Sequence, residues 1–162
     1  AMGLETAHAE VLRRLNKGMT LDDFAKAADF LRQNGVGVRA FLLLRPPFLD
    51  EAEGVEWAKR SIRFAFDAGA ECCVAIPTRD GNGAMERLRA DGLWAPPRIE
   101  SLEEALEYGV SLQRGRVFAD LWDIEKLFRC PRCGPARARR LDVMNCEQAA
   151  PPPVVCDCAG TT

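Results

Sequence analysis

Two nearly continuous apolar runs constrain the fold of this 162-residue chain more than any other feature of its sequence. They cover residues 38–44 and 71–77, and the stretch between them, residues 55–68, repeats apolar side chains at helical spacing. Apolar runs without polar alternation are typical of parallel strands that are buried on both faces. Parallel strands need a long crossover connection, so the pattern predicts a right-handed β-α-β unit and an α/β fold.

The other segments continue the alternation of helix and strand. Helices are predicted over residues 6–18, 20–34, 84–90 and 101–108, and a last strand over residues 116–121. Thr6, Thr20 and Ser101 would cap three of these helices, because a hydroxyl oxygen can accept from an unpaired N–H of the first turn. Residues 3–6 lead into the first helix with no strand before it, which indicates truncation upstream.

Composition and charge exclude several classes of protein. With 48% hydrophobic and 28% charged residues, the chain can bury a substantial core, and its net charge of −2 argues against a binder that relies on a basic face. We find no membrane-spanning apolar stretch and no signal sequence, so a cytoplasmic protein is expected.

Four of the seven cysteines form two close pairs near the C-terminus. Cys130 and Cys133 have the Cys-x2-Cys spacing of a metal knuckle, and Cys156 and Cys158 follow as Cys-x-Cys. Four thiolates can enclose a tetrahedral zinc ion, and zinc is the favoured interpretation, while a second iron-sulfur cluster and free thiols stay open as alternatives. We place a boundary near residue 126 and expect Cys146, the odd thiol of this module, to be buried.

A few further residues have expected roles outside the module. Adjacent cysteines on a strand point to opposite faces, so Cys72 and Cys73 are expected to be small core residues. His8 is expected at the surface. Asp120 and Asp123, on either side of Trp122, are expected to be solvated rather than to bind a substrate.

The module also contains a short basic segment. A helix is predicted over residues 136–144, and it carries Arg137, Arg139 and Arg140. These arginines are interpreted as a solvated helix face rather than an RNA contact, because the chain as a whole is acidic.

Several motifs together resemble the radical S-adenosylmethionine (SAM) proteins of the elongator-like and archaeosine-biosynthesis group. The stretch Gly3-Leu4-Glu5-Thr6 followed by residues 11–20 is similar to the region after the fourth barrel strand of that group. The strand ending in Leu43-Leu44-Arg45-Pro46-Pro47, and Ile76-Pro77-Thr78-Arg79 with Gly81-Asn82-Gly83, resemble the fifth and sixth strands and their loop. The resemblance covers everything before the cysteine module.

This resemblance implies a partial (β/α) barrel of radical SAM type over residues 1–125, with the small cysteine-rich module at 126–162. The N-terminal half of such a barrel would hold a [4Fe-4S] cluster on a Cys-x3-Cys-x2-Cys loop and cleave SAM to a 5′-deoxyadenosyl radical. That loop is absent here, so the chain is expected to bind without turnover on its own. The missing half would be its partner, and a tRNA nucleoside its possible substrate.

The resemblance also implies a set of cofactor and substrate contacts. Glu5 and Thr6 would hydrogen-bond SAM, Lys17 would face its methionine carboxylate, and Pro46 and Pro77 would border the cofactor. No catalytic residue is assigned.

The substrate contacts are expected at the ends of the strands. Arg45, Thr78 and Arg79 fall there, and Asn82 lies in the glycine loop that could present N–H groups to an anion.

A non-catalytic, metal-stabilised binding module is the alternative to an enzyme fragment. A half barrel would expose two open sheet edges and apolar strand faces, so poor solubility or dimerisation is expected of the isolated chain.

Overall fold

A computed structural model describes residues 1–81 and 83–160, with side chains described as far as residue 158. Four strands form one parallel sheet in the order β1-β2-β3-β4. Their bounds are Met2–Glu5 (β1), Arg39–Leu44 (β2), Cys72–Pro77 (β3) and Arg116–Ala119 (β4). The predicted α/β fold with parallel strands is confirmed.

Strand β1 corrects the expectation that no strand precedes the first helix. Met2 lies opposite Ala40 and Gly3 opposite Phe41, and the register then shifts before Glu5. Two residues of regular pairing are too short for a clear apolar pattern in the sequence, which is why this strand was missed.

Six α-helices connect and follow the strands. They are Ala9–Arg14 (α1), Leu21–Gln33 (α2), Glu51–Asp67 (α3), Ala84–Ala90 (α4), Ile99–Ser111 (α5) and Gly134–Glu147 (α6). Two 3-10 helices cover Ile124–Leu127 and Asp157–Gly160. The helices fill the crossovers between parallel strands, as expected of β-α-β units.

Two of the three predicted caps are wrong. The box of Thr20 and Asp23 is present at α2. Helix α1, however, begins after His8, whose Nδ1 accepts from the N–H of Val11. Ser101 lies inside α5 rather than at its start, and its hydroxyl donates to Glu51 Oε1.

One face of the sheet carries the hydrophobic core. Ala40, Leu42 and Leu44 of β2 are at most 1% exposed, and they pack in one cluster with buried residues of helices α2, α3, α5 and α6. From the module, Leu141 and Met144 of α6 are fully buried in the same cluster. The division of the chain near residue 126 stays a prediction.

The opposite face of the sheet is apolar but only half-buried. Phe41, Val74 and Phe118 lie in one register row across β2, β3 and β4, and Leu43 and Ile76 lie next to them. Both faces are therefore apolar, as the sequence predicted, but helices cover only one of them. No helix among the described residues is long and apolar enough to cross a bilayer.

The two edges of the sheet differ, which corrects the expectation of two open edges. Helix α6 lies against β4, where the amide of Asn145 donates to Ala119 O at 2.9 Å and accepts from Ala119 N at 2.8 Å. Gln148 makes the same pair of bonds with Val117, at 2.9 and 2.8 Å. The two amides thus stand in for a neighbouring strand, and β4 cannot pair further.

Candidate metal centre and strand-end cleft

The four predicted metal-binding cysteines come together in the fold. Cys130 and Cys133 lie in the turn that begins α6, and Cys156 and Cys158 lie in the C-terminal segment that runs back beside it. All four sulfur atoms lie within 4.8 Å of one another. Cys133 Sγ lies 3.5 Å from Cys158 Sγ, and Cys130 Sγ lies 4.0 Å from Cys156 Sγ.

These distances fit a single tetrahedral ion. Zinc-sulfur bonds of roughly 2.3 Å place neighbouring sulfurs about 3.8 Å apart around a tetrahedron. Each cysteine of a four-iron cluster binds a different iron, so its sulfur ligands must lie farther apart than those around one ion. The group can therefore hold one metal ion with little movement.

Local hydrogen bonds prepare the knuckle for a cation. The backbone N–H groups of Cys133 and Arg132 donate to the Cys130 sulfur and lower the pKa of this thiol to about 6. The pKa of the Cys158 thiol is instead raised to about 12 by its hydrogen bonds with the sulfurs of Cys156, Cys133 and Cys130. The Cys130 thiol is thus more readily deprotonated than the Cys158 thiol.

Buried arginines hold the C-terminal segment in place. Arg140, 6% exposed, donates to the carbonyl oxygens of Pro151 and Pro152 at 2.7 to 3.1 Å and pairs with Glu103 and Glu107 of α5. Arg137 pairs with Glu103 and hydrogen-bonds Cys133. The expectation of a solvated basic face is wrong for these two residues.

A second group of polar residues lies where β1 ends. Lys17 Nζ lies 2.6 Å from Glu5 Oε1, and the two side chains are 35% and 21% exposed. A Cβ added at Gly3 would lie 2.4 Å from that carboxylate oxygen and 2.9 Å from the ammonium. Glycine at this position lets the ion pair fold over the strand, and Glu5 itself has a left-handed φ of 64°.

The remaining predicted cofactor contacts are buried in the structure. Thr6 is 1% exposed, and its hydroxyl oxygen accepts from the N–H of His8 at 3.2 Å. Pro46 and Pro77 are also buried. Their contact with a cofactor stays a prediction.

Two of the predicted substrate contacts are tied to the protein itself. Arg45 Nη1 lies 2.6 Å from Glu51 Oε2 and donates to Pro96 O at 3.0 Å. Thr78 is 7% exposed, and its hydroxyl donates to Leu44 O at 2.9 Å. Thr78 thus joins the ends of β3 and β2, and Arg45 joins the end of β2 to α3 and to the loop at Pro96. Their contact with a substrate stays a prediction. Asn82 lies outside the described residues.

Arg79 has a different environment, in a cleft of about 500 Å³ at the ends of β3 and β4. Its guanidinium donates to Asp120 Oδ2 at 2.8 Å and to Trp122 O at 2.5 Å, and lies 5.8 Å from the centre of the Trp122 ring. Asp120 is thus paired rather than simply solvated. Arg89 and Lys126 also line this cleft.

The predictions for the remaining cysteines and for His8 have different outcomes. Cys72 and Cys73 are buried, as predicted, and burial raises the pKa of Cys73 to about 12. Cys146 is exposed rather than buried, since it lies on the outer side of α6. His8, which was expected at the surface, is half-buried, and its ring lies tilted by 43° against that of Trp57, with ring centres 4.3 Å apart.

Several polar residues of these sites have no signal in the sequence. Glu51, Arg89, Lys126 and Glu103 are ordinary charged residues of helices, and only the packing of α3, α4 and α5 brings them to the sites. The exposed Trp122 was the one available indication, because a tryptophan between two aspartates is unusual for a solvated loop.

Comparison with known proteins supports the assignment of the fold. The chain is 39% identical to archaeosine synthase subunit beta of Thermococcus kodakarensis over 107 residues, which cover 65% of this chain and 33% of the relative. It is 34% identical to the same subunit of Methanosarcina acetivorans over 107 residues, covering 65% and 31%. The chain thus spans about a third of these relatives. No family model matches it.

Among solved structures, archaeal Elp3 of Methanocaldococcus infernus, with an N-terminal deletion, has the same fold. The TM-score is 0.66 at 18% identity, and the match covers 86% of this chain and 34% of that one. The chain is therefore a relative of archaeosine synthase subunit beta in sequence and of archaeal Elp3 in fold, which confirms its resemblance to the elongator-like and archaeosine-biosynthesis group of radical SAM proteins.

Proposed function

We propose that this chain forms the C-terminal half of a radical SAM barrel that modifies a nucleoside of tRNA. The observation that carries the proposal is a parallel sheet with one bare apolar face and polar residues gathered at its carboxyl edge. Ligands of β/α barrels bind at this edge. The similarity to archaeosine synthase subunit beta supports tRNA as the substrate class.

The bare face supports a partner of the same architecture. All-parallel sheets are normally covered on both faces, and the row of Phe41, Val74 and Phe118 would line the interior of a barrel. Since α6 caps β4, further strands can join only beside β1. The partner is therefore the N-terminal half of the barrel, which would carry the ligands of the [4Fe-4S] cluster.

The residues at the end of β1 fit the methionine part of SAM. Glu5 and Lys17 are an ion pair beside the bare face, and their opposite charges complement the ammonium and the carboxylate of an amino acid. Bound SAM and the cluster would supply the radical. Glu5 would orient the ammonium group, and Lys17 would hold the carboxylate.

The cysteine module is proposed to bind structural zinc. The four sulfurs form a closed set of ligands for one ion, with no position left for a substrate, as is typical of structural zinc sites. The ion would fasten the C-terminal segment to α6. Reduced thiols of this kind suit the cytoplasm.

Titration of SAM into the isotope-labelled chain, followed by NMR, tests the proposal. We expect saturable changes in the chemical shifts of Glu5, Thr6 and Lys17. The Glu5→Gln variant should bind SAM at least about tenfold more weakly, because a charge-assisted hydrogen bond is lost. Glu10→Gln is the matched control, since Glu10 also pairs with a nearby cation but lies on the exposed side of α1.

The same titration separates the two candidate functions. Shifts confined to the end of β1 and abolished by Glu5→Gln support the enzyme fragment. Absence of shifts at millimolar SAM, or equal weakening in both variants, overturns it and leaves a zinc-stabilised binding module as the function.

A further inference from the structure

The cleft at the ends of β3 and β4 combines features that neither the core nor the SAM residues explain. One wall is formed by Trp122, which is 72% exposed. The floor includes Trp94, which is buried and donates its indole N–H to Arg45 O. An exposed aromatic ring beside cationic side chains is the arrangement on which nucleic-acid bases stack.

The backbone at Trp122 is held before any ligand arrives. Arg79 donates to the backbone carbonyl of Trp122, and the backbone N–H of Trp122 donates to Asp120 Oδ1 at 3.1 Å. Asp123, the next residue, has a left-handed φ of 51° that turns the chain into the following 3-10 helix. An amphipathic ring on such a held backbone offers a surface on which a base can stack.

Three cationic side chains place hydrogen-bond donors beside that ring. Arg79, Arg89 and Lys126 line the cleft and pair with Asp120, Asp80 and Asp123, respectively. Arg89 Nη1 lies 3.2 Å from Asp80 Oδ2, and Lys126 Nζ lies 2.6 Å from Asp123 Oδ2. A guanidinium and an ammonium each have further donors that a phosphate can accept from.

We propose that this cleft is a nucleotide subsite in which a base stacks on Trp122 and its phosphate contacts Arg89 and Lys126. Its volume of about 500 Å³ is sufficient for one nucleotide. The inference rests on the proposed function, since it names where the RNA strand would contact this chain. It is distinct from the position proposed for the methionine part of SAM at β1, because the cleft lies at β3 and β4 on the other side of the sheet order.

Fluorescence titration with a single-stranded RNA hexanucleotide, and separately with guanosine monophosphate, tests the inference on the whole chain. We expect saturable quenching of tryptophan emission, and at least about tenfold weaker binding in Trp122→Ala, measured by fluorescence anisotropy of labelled RNA. Arg89→Gln should weaken RNA binding and lower the slope of log affinity against log salt by about one.

Arg87→Gln is the control for Arg89→Gln, because Arg87 lies on the same helix, is exposed, and does not line the cleft. Unchanged binding in this control, with loss in the other two variants, supports the subsite. Equal losses at both arginines would indicate general attraction to phosphate and would overturn it, as would the absence of saturable quenching by either probe.

The SAM titration separates failure of this inference from failure of the proposed function. If SAM still shifts the NMR resonances of the β1 residues but no nucleotide binds, only the subsite is rejected. RNA binding without SAM binding would instead reject the radical SAM assignment.

Discussion

Asn145 offers a direct test of the way in which α6 closes the sheet. Its side-chain amide makes two hydrogen bonds with the backbone of Ala119, a residue that is 4% exposed. Asn145→Ala removes both bonds and leaves an N–H and a C=O beside a helix with little access to water. The variant should therefore be less stable, even though alanine favours a helix more than asparagine does.

The expected size follows from these opposing contributions. Two hydrogen bonds of about 0.5 to 1.5 kcal/mol each give a loss of about 1 to 3 kcal/mol in the free energy of unfolding. The higher helix propensity of alanine returns roughly 0.5 kcal/mol. The net loss should thus be about 0.5 to 2.5 kcal/mol.

Asp142→Ala is the matched control, because Asp142 is exposed on the same helix and gains the same propensity without losing a bond to β4. Asn145→Asp keeps an acceptor for the Ala119 N–H but places a carboxylate against Ala119 O, so at neutral pH it should be at least as unstable as Asn145→Ala.

Urea unfolding followed by circular dichroism gives the three free energies, and light scattering reports whether the freed edge of β4 pairs with another chain. If Asn145→Ala and Asp142→Ala unfold with the same free energy, the amide does not act as a strand mimic, and the argument that the sheet extends only beside β1 fails.

The other predictions concern the thiols, a buried ion pair and the bare face. Cys133→Ser should reduce bound zinc, measured by elemental mass spectrometry, to less than about a tenth of one equivalent, while the exposed Cys146→Ser keeps it. Arg140→Met should lower the free energy of unfolding by about 3 to 5 kcal/mol, because Glu103 is left buried with less compensation; a loss below 1 kcal/mol in urea unfolding would contradict this. Burial raises the pKa of Cys73 from 9.0 to about 12, so the unfolded chain releases this proton first, and the free energy of unfolding should fall between pH 9 and 12. In Cys73→Ala that fall should be shallower by up to about 1.4 kcal/mol per pH unit, and equal slopes would refute it. The isolated chain should dimerise through its bare apolar face, and a monomer at all concentrations by light scattering would count against this.

Periodicity and spacing in the sequence determined the two central strands of the sheet and the cysteines of the candidate metal centre. The runs at residues 38–44 and 71–77 are long enough to predict β2 and β3, and a crossover of one helix between them leaves only a parallel arrangement. Cysteine pairs at knuckle spacing have few other uses in a reduced chain, so Cys130 and Cys133 were recognisable without a structure.

The sequence could not determine contacts that depend on side chains meeting across the fold. Asn145 and Gln148 are unremarkable residues at the end of a helix, and only the placement of α6 beside β4 makes them an edge cap. The same holds for Arg140. It belongs to a basic segment that is typical of a solvated helix face, but it lies buried between two glutamates and the C-terminal segment.

The difference has a physical reason. Burial patterns and metal ligands are encoded locally, because periodicity and spacing act over a few residues along the chain. Edge caps, ion pairs and the cleft around Trp122 form between elements that are tens of residues apart in sequence, so no local pattern specifies them. Sequence therefore determined the two central strands and the four clustered cysteines, and tertiary packing decided which edge stays open and which charged groups line the cleft.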